Sequence, residues 1–551
     1  MSKLFAQILE QRGLDEGFLT PRYEDLFDPY LMMGVNEAVE RIEQARDNAE
    51  QILIYGDYDV DGVTSSTVLH TALTDFGCEG VEVILPNRFI DGYGMKDGAI
   101  EEIISRGTNL VITVDNGSGS GETIEKLRER GIDTIVTDHH EIPHRPEAAV
   151  CVINPKLPGE KYGLNMAGVG VAFTLARALN MRKNGGSCDG QEKWLLDLVT
   201  LGTVCDSMKI RDENRIFTYF GMKVFPKTRR RGIKELAQRA SVNLDAIDGN
   251  AVGFQLGPRL NAAGRMKSAD LALDLMMAKE RSKAMLLAEE LDELNNERRK
   301  AQDAAIKEAS AQVGEDDSVI IVSGKWHEGI VGIVAGRLVE IFHKPTIVLA
   351  ELENGILKGS GRSFGDFSLA KAIQSLPEGL LLSGGGHAAA CGLSLREGDL
   401  EAFKHKFNEY YDSLDLKDQE KYLRLTSDIV LDDLSSLSIE LCDEIAQLQP
   451  FGEGNEEPIF EITAKIAAVR VLKDKHLSLT LRDRNSTEMK LMGFFAPQEW
   501  LELSRGQTVR VQFTLTKNEW RGNTKLEGIL VSVEIVAWNF FQDMIKFSQY
   551  D

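Results

Sequence analysis

The feature that most constrains the fold is an alternation of short apolar runs with helix-like segments between about residues 50 and 154. The apolar runs are "QILIY", "VEVIL", "NLVITV", "IDTIV" and "AVCVI", and the helix-like segments lie at 63–76, 97–106 and 121–131. Strands that alternate with helices of this length are typical of a parallel sheet covered by helices on both faces. The sequence therefore predicts an α/β fold for this region.

Acidic residues follow three of the predicted strands, and one more follows a helical segment. They are Asp57, Asp59 and Asp61 in "DYDVDG", Asp115 after "NLVITV", Asp138 beside His139 and His140 after "IDTIVT", and Asp206 in "LGTVCD". Side chains just beyond the carboxyl ends of parallel strands converge on the crevice where open α/β sheets bind ligands. We therefore expect these residues to share one site.

Carboxylates at such density need a cation to offset their repulsion. A calcium loop of the EF-hand type is disfavoured, because its twelfth position needs a Glu and Val68 stands there, and because the run follows a strand. Carboxylates with one or two imidazoles suit Mn²⁺ or Mg²⁺, and the histidine favours Mn²⁺. One such Asp is more often a helix N-cap than a ligand. The whole set at equivalent strand ends predicts a site for two ions, which clamp a phosphoryl group when about 3.5–4 Å apart.

The composition excludes several classes of protein. The six cysteines are scattered and form no C-x-x-C pair, so neither a disulfide framework nor a zinc site is indicated. No apolar run reaches about 18 residues, and charges interrupt the N-terminal window in which a signal peptide has its apolar core. We therefore expect a cytoplasmic protein without a membrane segment.

The net charge of −23 taken alone argues against a nucleic-acid partner, because non-specific affinity for phosphates comes from Lys and Arg. A net value averages over domains, however, and basic residues cluster at 227–231 and in "NERRK" at 296–300. Such runs are more often solvated surface than a binding site. Composition alone leaves the partner open.

The remaining sequence changes character several times. "GFQLGPRLNAAGRM" (253–266) predicts a Gly- and Arg-rich loop, and 268–312 predicts one or two long helices that bridge domains rather than form a coiled coil. A second α/β unit is predicted at about 315–412. Short alternating runs at about 418–538 predict a small β-barrel of the OB type.

These changes divide the 551 residues into a series of predicted regions. They are an N-terminal segment (1–48), a catalytic α/β domain (49–267), a long connecting helix (268–313), a substrate-binding α/β domain (314–414), an OB-type barrel (415–540) and a C-terminal tail (541–551).

Several motifs resemble those of a known family. "GDYDVDG", "VDNGS", "TDHHE" and "LGTVCD" resemble the four motifs of the DHH phosphoesterases, and "SGGGHAAACG" resembles the Gly-rich His motif of their associated domain. "LPNRFIDGYG", "GPRLNAAGRM" and "SGRS", with the long helix and the barrel, narrow the resemblance to the members that are exonucleases of single-stranded DNA. The resemblance extends over nearly the whole chain.

The resemblance implies a ligand set for two divalent cations. Asp59 and Asp115 would hold one ion, and Asp61, Asp115, His139 and Asp206 would hold the other, with Asp115 bridging. Mn²⁺ or Mg²⁺ is the cofactor that the family implies.

The resemblance also implies roles around those ligands. Asp57 and Asp138 would support the ligands or bind weakly, and His140 would lie beside the scissile phosphate. Tyr55 stands where the family often has His, which would leave the first ion more loosely held.

The substrate would meet a further set of residues, again by resemblance. Arg88, Ser360 and Arg362 would bind a 5′-terminal phosphate, Tyr93 would stack on a base, Arg259 and Arg265 would contact the DNA backbone, and Gly384, Gly385, Gly386 and His387 would face phosphates. Arg forks match phosphate geometry, and backbone amides reach phosphate oxygens most closely where no side chain intervenes.

The implied function is a two-metal 5′→3′ exonuclease that degrades single-stranded DNA to 5′-mononucleotides in DNA repair and recombination. Its partners would be single-stranded DNA with a 5′ end, a single-strand-binding protein and a helicase, and the chain would be a monomer. The alternative is a family member that hydrolyses short oligoribonucleotides or small phosphates, but those relatives lack the barrel. A non-catalytic DNA-binding scaffold would have lost metal ligands, and here the set is complete.

Overall fold

A computed structural model describes residues 1–90, 92, 94–142, 144–414, 416, 422, 426–520 and 522–536. Tyr93 and the predicted tail 541–551 lie outside the described residues. The chain divides into two units, one of residues 1–26, 209–211 and 425–551 and one of residues 27–208 and 212–424. Across the described part, no helix has both the length and the apolar character that crossing a membrane requires.

The first helices belong to different units. Helices α1 (Lys3–Arg12) and α2 (Glu16–Leu19) belong to the smaller unit, and α3 (Val35–Asp47) belongs to the larger one. The predicted N-terminal segment 1–48 is therefore not one body. The reason is that α1 buries Phe5, Ile8 and Leu9 in a core whose other residues come from the far end of the chain.

The first sheet of the larger unit is parallel throughout, which confirms the predicted fold class. Its order is β2-β1-β3-β4-β5. The strands are β1 (Ile52–Tyr55), β2 (Val81–Ile84), β3 (Leu110–Val114), β4 (Asp133–Thr137) and β5 (Cys151–Ile153). Every residue of β1 and β3 is buried, as expected for strands that helices cover on both faces.

Helices surround this sheet and continue beyond it. They are α4 (Val60–Phe76), α5 (Ile100–Ser105), α6 (Gly121–Glu129), α7 (Gly168–Lys183), α8 (Leu196–Cys205), α9 (Asp212–Val224), α10 (Arg231–Arg239), α11 (Gly257–Met266), α12 (Asp270–Met277) and α13 (Arg281–Ser310). The predicted long connecting helix is thus two helices, because Ala278 takes an extended conformation. The longer one, α13, has 30 residues and spans about 45 Å.

The prediction of a loop at 253–266 was wrong. A π-helical turn (Ala251–Leu256) runs directly into α11. Pro258 lies in the first turn of α11, where a missing N–H costs nothing. Gly264 serves close packing rather than a turn, because a Cβ there would lie 2.3 Å from the carbonyl oxygen of Tyr58.

The second α/β domain, also in the larger unit, has a mixed sheet in the order β6-β7-β8-β10-β9. Its strands are β6 (Ile320–Gly324), β7 (Thr346–Glu351), β8 (Ile356–Arg362), β9 (Ser383–Gly386) and β10 (Ala390–Arg396), and its helices are α14 (Val331–Phe342), α15 (Leu369–Gln374) and α16 (Leu400–Asp412). Only β6 and β7 are parallel. Phe403 and Phe407 fill the core on one side of this sheet.

The smaller unit contains the predicted barrel. Its strands are β11 (Ile429–Val430), β12 (Phe460–Leu472), β13 (His476–Arg482), β14 (Glu488–Gly493), β15 (Thr508–Trp520) and β16 (Asn523–Ile535), and its helices are α17 (Ile439–Ala446) and α18 (Gln498–Leu501). The sheet closes because β12 pairs with both β13 and β15. Its pairs are antiparallel except β14 with β16 and β11 with β12, and this closed arrangement confirms the OB-type prediction.

Helix α1 is bound to the barrel by charge as well as by its apolar face. Arg12 donates to both carboxylate oxygens of Asp428, at 2.5 and 2.8 Å, and Ser2 donates to Glu444 through its backbone amide at 2.6 Å. The ten-residue helix α1 is therefore attached to the barrel by its apolar face and by the hydrogen bonds of Arg12 and Ser2.

Candidate active site

The segment "DYDVDG" forms the turn from β1 into α4. Asp59 caps α4, and its side chain accepts a hydrogen bond from the amide of Gly62 at 3.1 Å. Gly62 is required by close approach, because a Cβ there would lie 2.4 Å from the carbonyl oxygen of Asp57. The tight turn places Asp57, Asp59 and Asp61 at the carboxyl edge of the sheet, and capping leaves the other carboxylate oxygen of Asp59 for a ligand.

Asp115 follows β3 in a left-handed backbone conformation, with φ of 60°. Few residues other than Gly adopt this region, and such conformations cluster at functional sites. The amide of Asp115 donates to the carbonyl of Thr137 at 3.0 Å, which fixes the turn against β4. The side chain is 2% exposed.

The predicted metal-binding residues come together in three overlapping groups. The groups are Asp57, Asp59 and Asp115; Asp61, His139 and Asp206; and Asp115, His139 and His140, with ligand atoms within 4.8 Å of one another in each. The His139 Nε2 atom lies 3.2 Å from Asp115, 3.5 Å from Asp206 and 3.7 Å from Asp61. Asp115 is therefore shared by the group with Asp57 and Asp59 and the group with the two histidines.

The donor atoms of this cluster fit divalent cations. Asp57 Oδ1, Asp115 Oδ1 and His139 Nε2 are buried and have no hydrogen-bond partner among the described residues. A buried polar atom without a partner is costly, so several in one cluster point to a missing ligand. Carboxylate oxygens with one imidazole are the donors that Mn²⁺ and Mg²⁺ accept.

The electrostatics of the cluster agree with this reading. Burial, followed by repulsion from neighbouring carboxylates, raises the pKa of Asp115 well above its usual range. The same two causes raise the pKa of Asp61 to about 7 and the pKa of Asp206 to about 9. Burial, followed by the charge of His140, lowers the pKa of His139 to about 3. His139 is therefore neutral, which is the form that binds metals.

Asp61 is held in place by the N-terminus of α7. The amides of Gly168 and Val169 donate to its two carboxylate oxygens at 2.6 and 2.8 Å. A Cβ at Gly168 would lie 2.7 Å from the Cβ of Asp115, so only Gly brings these amides close enough. Sequence reasoning missed Gly168, although the Gly pair in "AGVGVAF" at a helix start was a signal for close approach.

Asp138 orients the histidines rather than belonging to a metal group. It accepts from the His140 ring at 2.9 Å and from the amides of His139, His140 and Ser118 at 2.7, 3.1 and 2.9 Å. Burial opposes the charge of Asp138, but the hydrogen bond and charge of His140 and the hydrogen bonds of Ser118 together outweigh it and lower the pKa of Asp138 to about 2. Burial likewise opposes protonation of His140, yet its contact with Asp138 raises the pKa of His140.

The positions of Asp57 and Tyr55 bear on the first group of carboxylates. Asp57 lies within ligand distance of Asp59 and Asp115, so the first group has three carboxylates even though Tyr55 is no metal ligand. Tyr55 is 2% exposed and packs in the apolar core under the sheet.

Beside the acidic cluster lies an arginine cluster, formed by Arg88, Arg265, Arg298 and Arg362. The Arg88 guanidinium stacks 4.1 Å above the ring of Tyr58, the residue between Asp57 and Asp59, and Arg88 Nε is buried without a hydrogen-bond partner in the described part of the chain. Burial, followed by the charge of Arg88, lowers the pKa of Arg265 to about 10, and Arg298 and Arg362 act in the same direction. Cations gathered in this way favour an anion between them.

The second α/β domain contributes Ser360 and Arg362 to this place. Arg362 donates to the Ser360 hydroxyl at 3.0 Å and to the carbonyl of Gly361 at 2.8 Å. A Cβ at Gly332, in the first turn of α14, would lie 3.3 Å from the Arg362 guanidinium. The start of a helix is favourable for an anion, as is the guanidinium fork.

Arg259 lies elsewhere. Its guanidinium donates to Asp292 at 2.8 Å and to the carbonyl of Gln255 at 2.7 Å. Arg259 and Arg265 are six positions apart on α11, which places them about 120° apart around the helix axis. The structure therefore brings Arg265, but not Arg259, into the arginine cluster.

Gly384, Gly385 and Gly386 form most of β9, an exposed edge strand that pairs with β10. Within the described residues, its outer backbone groups have no strand partner. Gly386 has φ of 146°, and its Cβ would lie 2.3 Å from the carbonyl oxygen of Ala390. The His387 amide donates to that same carbonyl at 2.8 Å, which orients the residue after the strand.

Sequence reasoning also missed Arg298, because "NERRK" was interpreted as solvated surface. Arg298 donates to Asn295 at 3.0 Å and to Gln302 at 3.1 Å. The signal was helical spacing, since Arg298 follows Leu291 and Asn295 along the buried stripe of α13.

A carboxylate and histidine cluster at the carboxyl edge of a parallel sheet, joined to a second α/β domain, defines the DHH class of phosphoesterases. The family comparison agrees. The DHH family N-terminal domain matches residues 51–203, the DHHA1 domain matches 316–413 and the RecJ OB domain matches 428–532.

Individual relatives narrow this class. The chain is 34% identical to the single-stranded-DNA-specific exonuclease RecJ of Bacillus subtilis (strain 168), over 98% of this chain and 69% of that protein. It is also 34% identical to the protein of the same name from Escherichia coli (strain K12), over 91% of this chain and 90% of that protein. The chain therefore belongs to the RecJ family of single-stranded-DNA-specific exonucleases, as the motifs predicted.

Two solved structures that contain a divalent metal ion are similar to this chain, which agrees with the assignment of Mn²⁺ or Mg²⁺ to the acidic cluster. RecJ from Thermus thermophilus in complex with Mn²⁺ matches with a TM-score of 0.84 and 28% identity, over 98% of this chain and 76% of that one. The same protein in complex with Mg²⁺ matches with a TM-score of 0.79 and 26% identity, over 98% and 75% of the two chains.

Proposed function

We propose that the chain degrades single-stranded DNA from its 5′ end and releases 5′-mononucleotides. The observation that carries this proposal is the contact between two clusters of opposite charge. Tyr58 lies between Asp57 and Asp59 and supports the guanidinium of Arg88, so the arginine cluster is next to the acidic one. A phosphate bound by the arginines would place a neighbouring phosphodiester at the acidic cluster.

Two divalent cations, when bound, would supply Lewis-acid activation of water and charge stabilisation at the reacting phosphate. The residues that would hold them are Asp57, Asp59 and Asp115 for one ion and Asp61, Asp115, His139 and Asp206 for the other.

His140 acts beside these ligands. Its Nδ1 atom is engaged by Asp138, and its side chain is 36% exposed. The protonated imidazole would stabilise charge on the phosphate or deliver a proton to the departing 3′ oxygen. Asp138 supports this role by keeping the ring charged and oriented.

The arginine cluster would set the polarity of the reaction. Arg88, Arg265 and Arg362, with the Ser360 hydroxyl, would bind the terminal 5′-phosphate through charge-assisted hydrogen bonds. Cleavage on the 3′ side of the first nucleotide leaves a new 5′-phosphate on the remaining strand. Each cycle thereby regenerates the group that the arginines bind.

The barrel favours long strands over small phosphates as substrates. OB folds hold single strands through a charged groove and aromatic stacking. This domain is the reason to prefer DNA strands over short oligoribonucleotides. A helicase and a single-strand-binding protein are the partners that fit a nuclease restricted to unpaired strands.

The substrate class is tested by incubating the full chain with matched 5′-phosphorylated single strands, duplexes and short oligoribonucleotides. We expect rapid loss of the single strand with Mn²⁺ or Mg²⁺, little loss of the duplex, and no reaction in EDTA. Preferential hydrolysis of the oligoribonucleotide, or hydrolysis that persists in EDTA, would contradict the proposal.

A further inference from the structure

A cavity of about 720 Å³ lies in the larger unit, at the end of α4 that is remote from the acidic cluster. Its walls come from the second halves of α4 and α7, residues 189–195, the start of α10 and residues 276–279. At 1.5 Å per residue, Asp75 in this wall lies about 24 Å along the helix axis from Asp59. The cavity is therefore separate from the acidic cluster, and its volume is within the range of small-molecule sites, about 300–1,000 Å³.

The inner wall of this cavity presents apolar side chains and one imidazole. Met276 is 2% exposed, and Ala176 and Leu179 are also buried. Burial, followed by the charge of Lys279, lowers the pKa of the half-buried His70, so its ring is neutral and can donate one hydrogen bond and accept another. A flat, uncharged ring such as a nucleobase fits a wall of this kind.

Three exposed cations surround the mouth of the cavity. Arg229 precedes α10, Arg231 begins it, and Lys279 follows α12. None of the three forms an ion pair within the ranges that the structure describes. The chain as a whole has a net charge of −23, so the overall composition does not account for three such cations at one opening. They are typical of a site for an anion that carries several charges.

The position of Arg229 is fixed before any ligand arrives. Its guanidinium stacks 3.9 Å from the centre of the Trp194 ring. On either side of it, Thr228 and Arg230 donate to the carboxylate of Asp197 at 2.5 and 3.3 Å, and Asp197 is fully buried. A cation held in this way loses little conformational freedom when it binds an anion.

Carboxylates share the mouth with these cations. Asp75 and Asp189 are exposed there, whereas a third acid, Glu192, is only 4% exposed. Asp189 accepts from Asn180 at 2.9 Å and from the amide of Gln191 at 3.0 Å, and both bonds use Oδ1, so Oδ2 can accept another donor. Carboxylates would repel a ligand that is anionic throughout, but they are the usual partners of ribose hydroxyls.

We propose that this cavity binds a ribonucleoside di- or triphosphate, with its phosphates on Arg229, Arg231 and Lys279 and its base against the apolar wall. The site goes beyond the proposed function and does not depend on it. A nucleotide bound there would contact α4 and α7, the two helices whose first turns position Asp59 and Asp61.

The experiment is a calorimetric titration of the full chain with each of the four ribonucleoside 5′-triphosphates in EDTA, which keeps metal ions out of the acidic cluster. The variant is Arg229→Ala/Arg231→Ala. The control is Lys227→Ala/Lys234→Ala, which removes two exposed cations of the same segment that do not line the cavity. One charge-assisted contact accounts for about a ten- to hundredfold change in affinity. We expect at least one triphosphate to bind the wild type, at least a tenfold loss in the variant, and no loss in the control.

Two further variants locate the site. Lys279→Ala, on a separate segment, should weaken binding in the same direction, and a wild-type melting temperature would show that the loss is not a folding defect. Arg362→Ala should bind as the wild type does, because Arg362 belongs to the arginine cluster. Loss of binding in Arg362→Ala but not in Arg229→Ala/Arg231→Ala would overturn the assignment to this cavity.

Two results with the wild type would also overturn the proposal. One is that none of the four triphosphates binds. The other is that inorganic tripolyphosphate binds as tightly as the best of them, because the base and ribose would then contribute nothing. Binding is measured without turnover, so a failure of the wild type to degrade single strands would refute the proposed function and leave this site standing.

Discussion

Gly168→Ala adds only one methyl group, and we predict that it displaces the carboxylates of the acidic cluster and lowers the rate of hydrolysis. Gly168 is the first residue of α7, and a Cβ there would lie 2.7 Å from the Cβ and 2.9 Å from the Cα of Asp115. Ordinary contacts of this kind begin at 3.4 Å. Because the Cα belongs to the backbone, the start of α7 and the turn at Asp115 must separate.

The size of the effect follows from the hydrogen bonds to Asp61. A separation of about 0.7 Å would lengthen the 2.6 and 2.8 Å bonds from Gly168 and Val169 beyond the usual limit of about 3.2 Å. Hydrogen bonds to a charged group are worth roughly 1.5–3 kcal/mol each. Loss of one corresponds to about a ten- to hundredfold fall in rate if Asp61 and Asp115 must keep their positions.

The assay is the initial rate of nucleotide release from a 5′-phosphorylated single strand at several Mn²⁺ concentrations, together with a thermal melt. Gly336→Ala is the matched control, because Gly336 lies within α14 and a Cβ there meets no atom within 4 Å. Gly→Ala inside a helix stabilises by up to about 1 kcal/mol, so the control should be active and stable. A Gly168→Ala enzyme with the control's rate and metal dependence would refute the reasoning.

Three further predictions concern the ligands, the phosphate end and the barrel unit. Asp115→Ala and His139→Ala should each abolish hydrolysis in a gel assay while strand binding by anisotropy persists, and turnover equal to wild type would exclude them as ligands. Arg362→Ala should lower efficiency about ten- to a hundredfold on 5′-phosphate strands and much less on 5′-hydroxyl strands, since charge-assisted bonds to phosphate are worth roughly 1.5–3 kcal/mol; equal losses on both ends would place the end-binding pocket elsewhere. Ile8→Ala should lower the free energy of unfolding of the barrel unit by about 2–5 kcal/mol in urea melts, because Ile8 is fully buried. The control Gln7→Ala, at an exposed position of the same helix, should leave it unchanged. An unchanged melt for Ile8→Ala would contradict the packing of α1 on the barrel.

Local patterns were sufficient to predict the sheets and the barrel. The runs "LVITV" and "ILIY" are apolar throughout, as buried parallel strands are, and they form β3 and β1. Topology then predicted the meeting of Asp59, Asp115 and His139, because parallel strands bring their carboxyl ends to one edge.

Contacts distant in sequence could not be predicted in this way. The sequence of α1 predicts an apolar face but does not indicate which part of the chain that face packs against. In the structure, Phe5 and Ile8 lie in the core of the barrel, more than 400 residues further along the chain. Such a contact also means that deleting the barrel would expose α1, so point variants test its function more cleanly than truncation. Glycines at helix contacts, such as Gly264, were mistaken for turn residues, because sequence alone cannot distinguish close approach from a bend.

The most direct measurement of the central claim is a time course of a 5′-phosphorylated single strand labelled at every nucleotide, digested by the full chain with Mn²⁺. The proposed binding of the terminal phosphate by the arginine cluster predicts that 5′-mononucleotides are the first products and that the remaining strands shorten from the 5′ end. Early fragments of intermediate length, or loss from the 3′ end, would contradict the account.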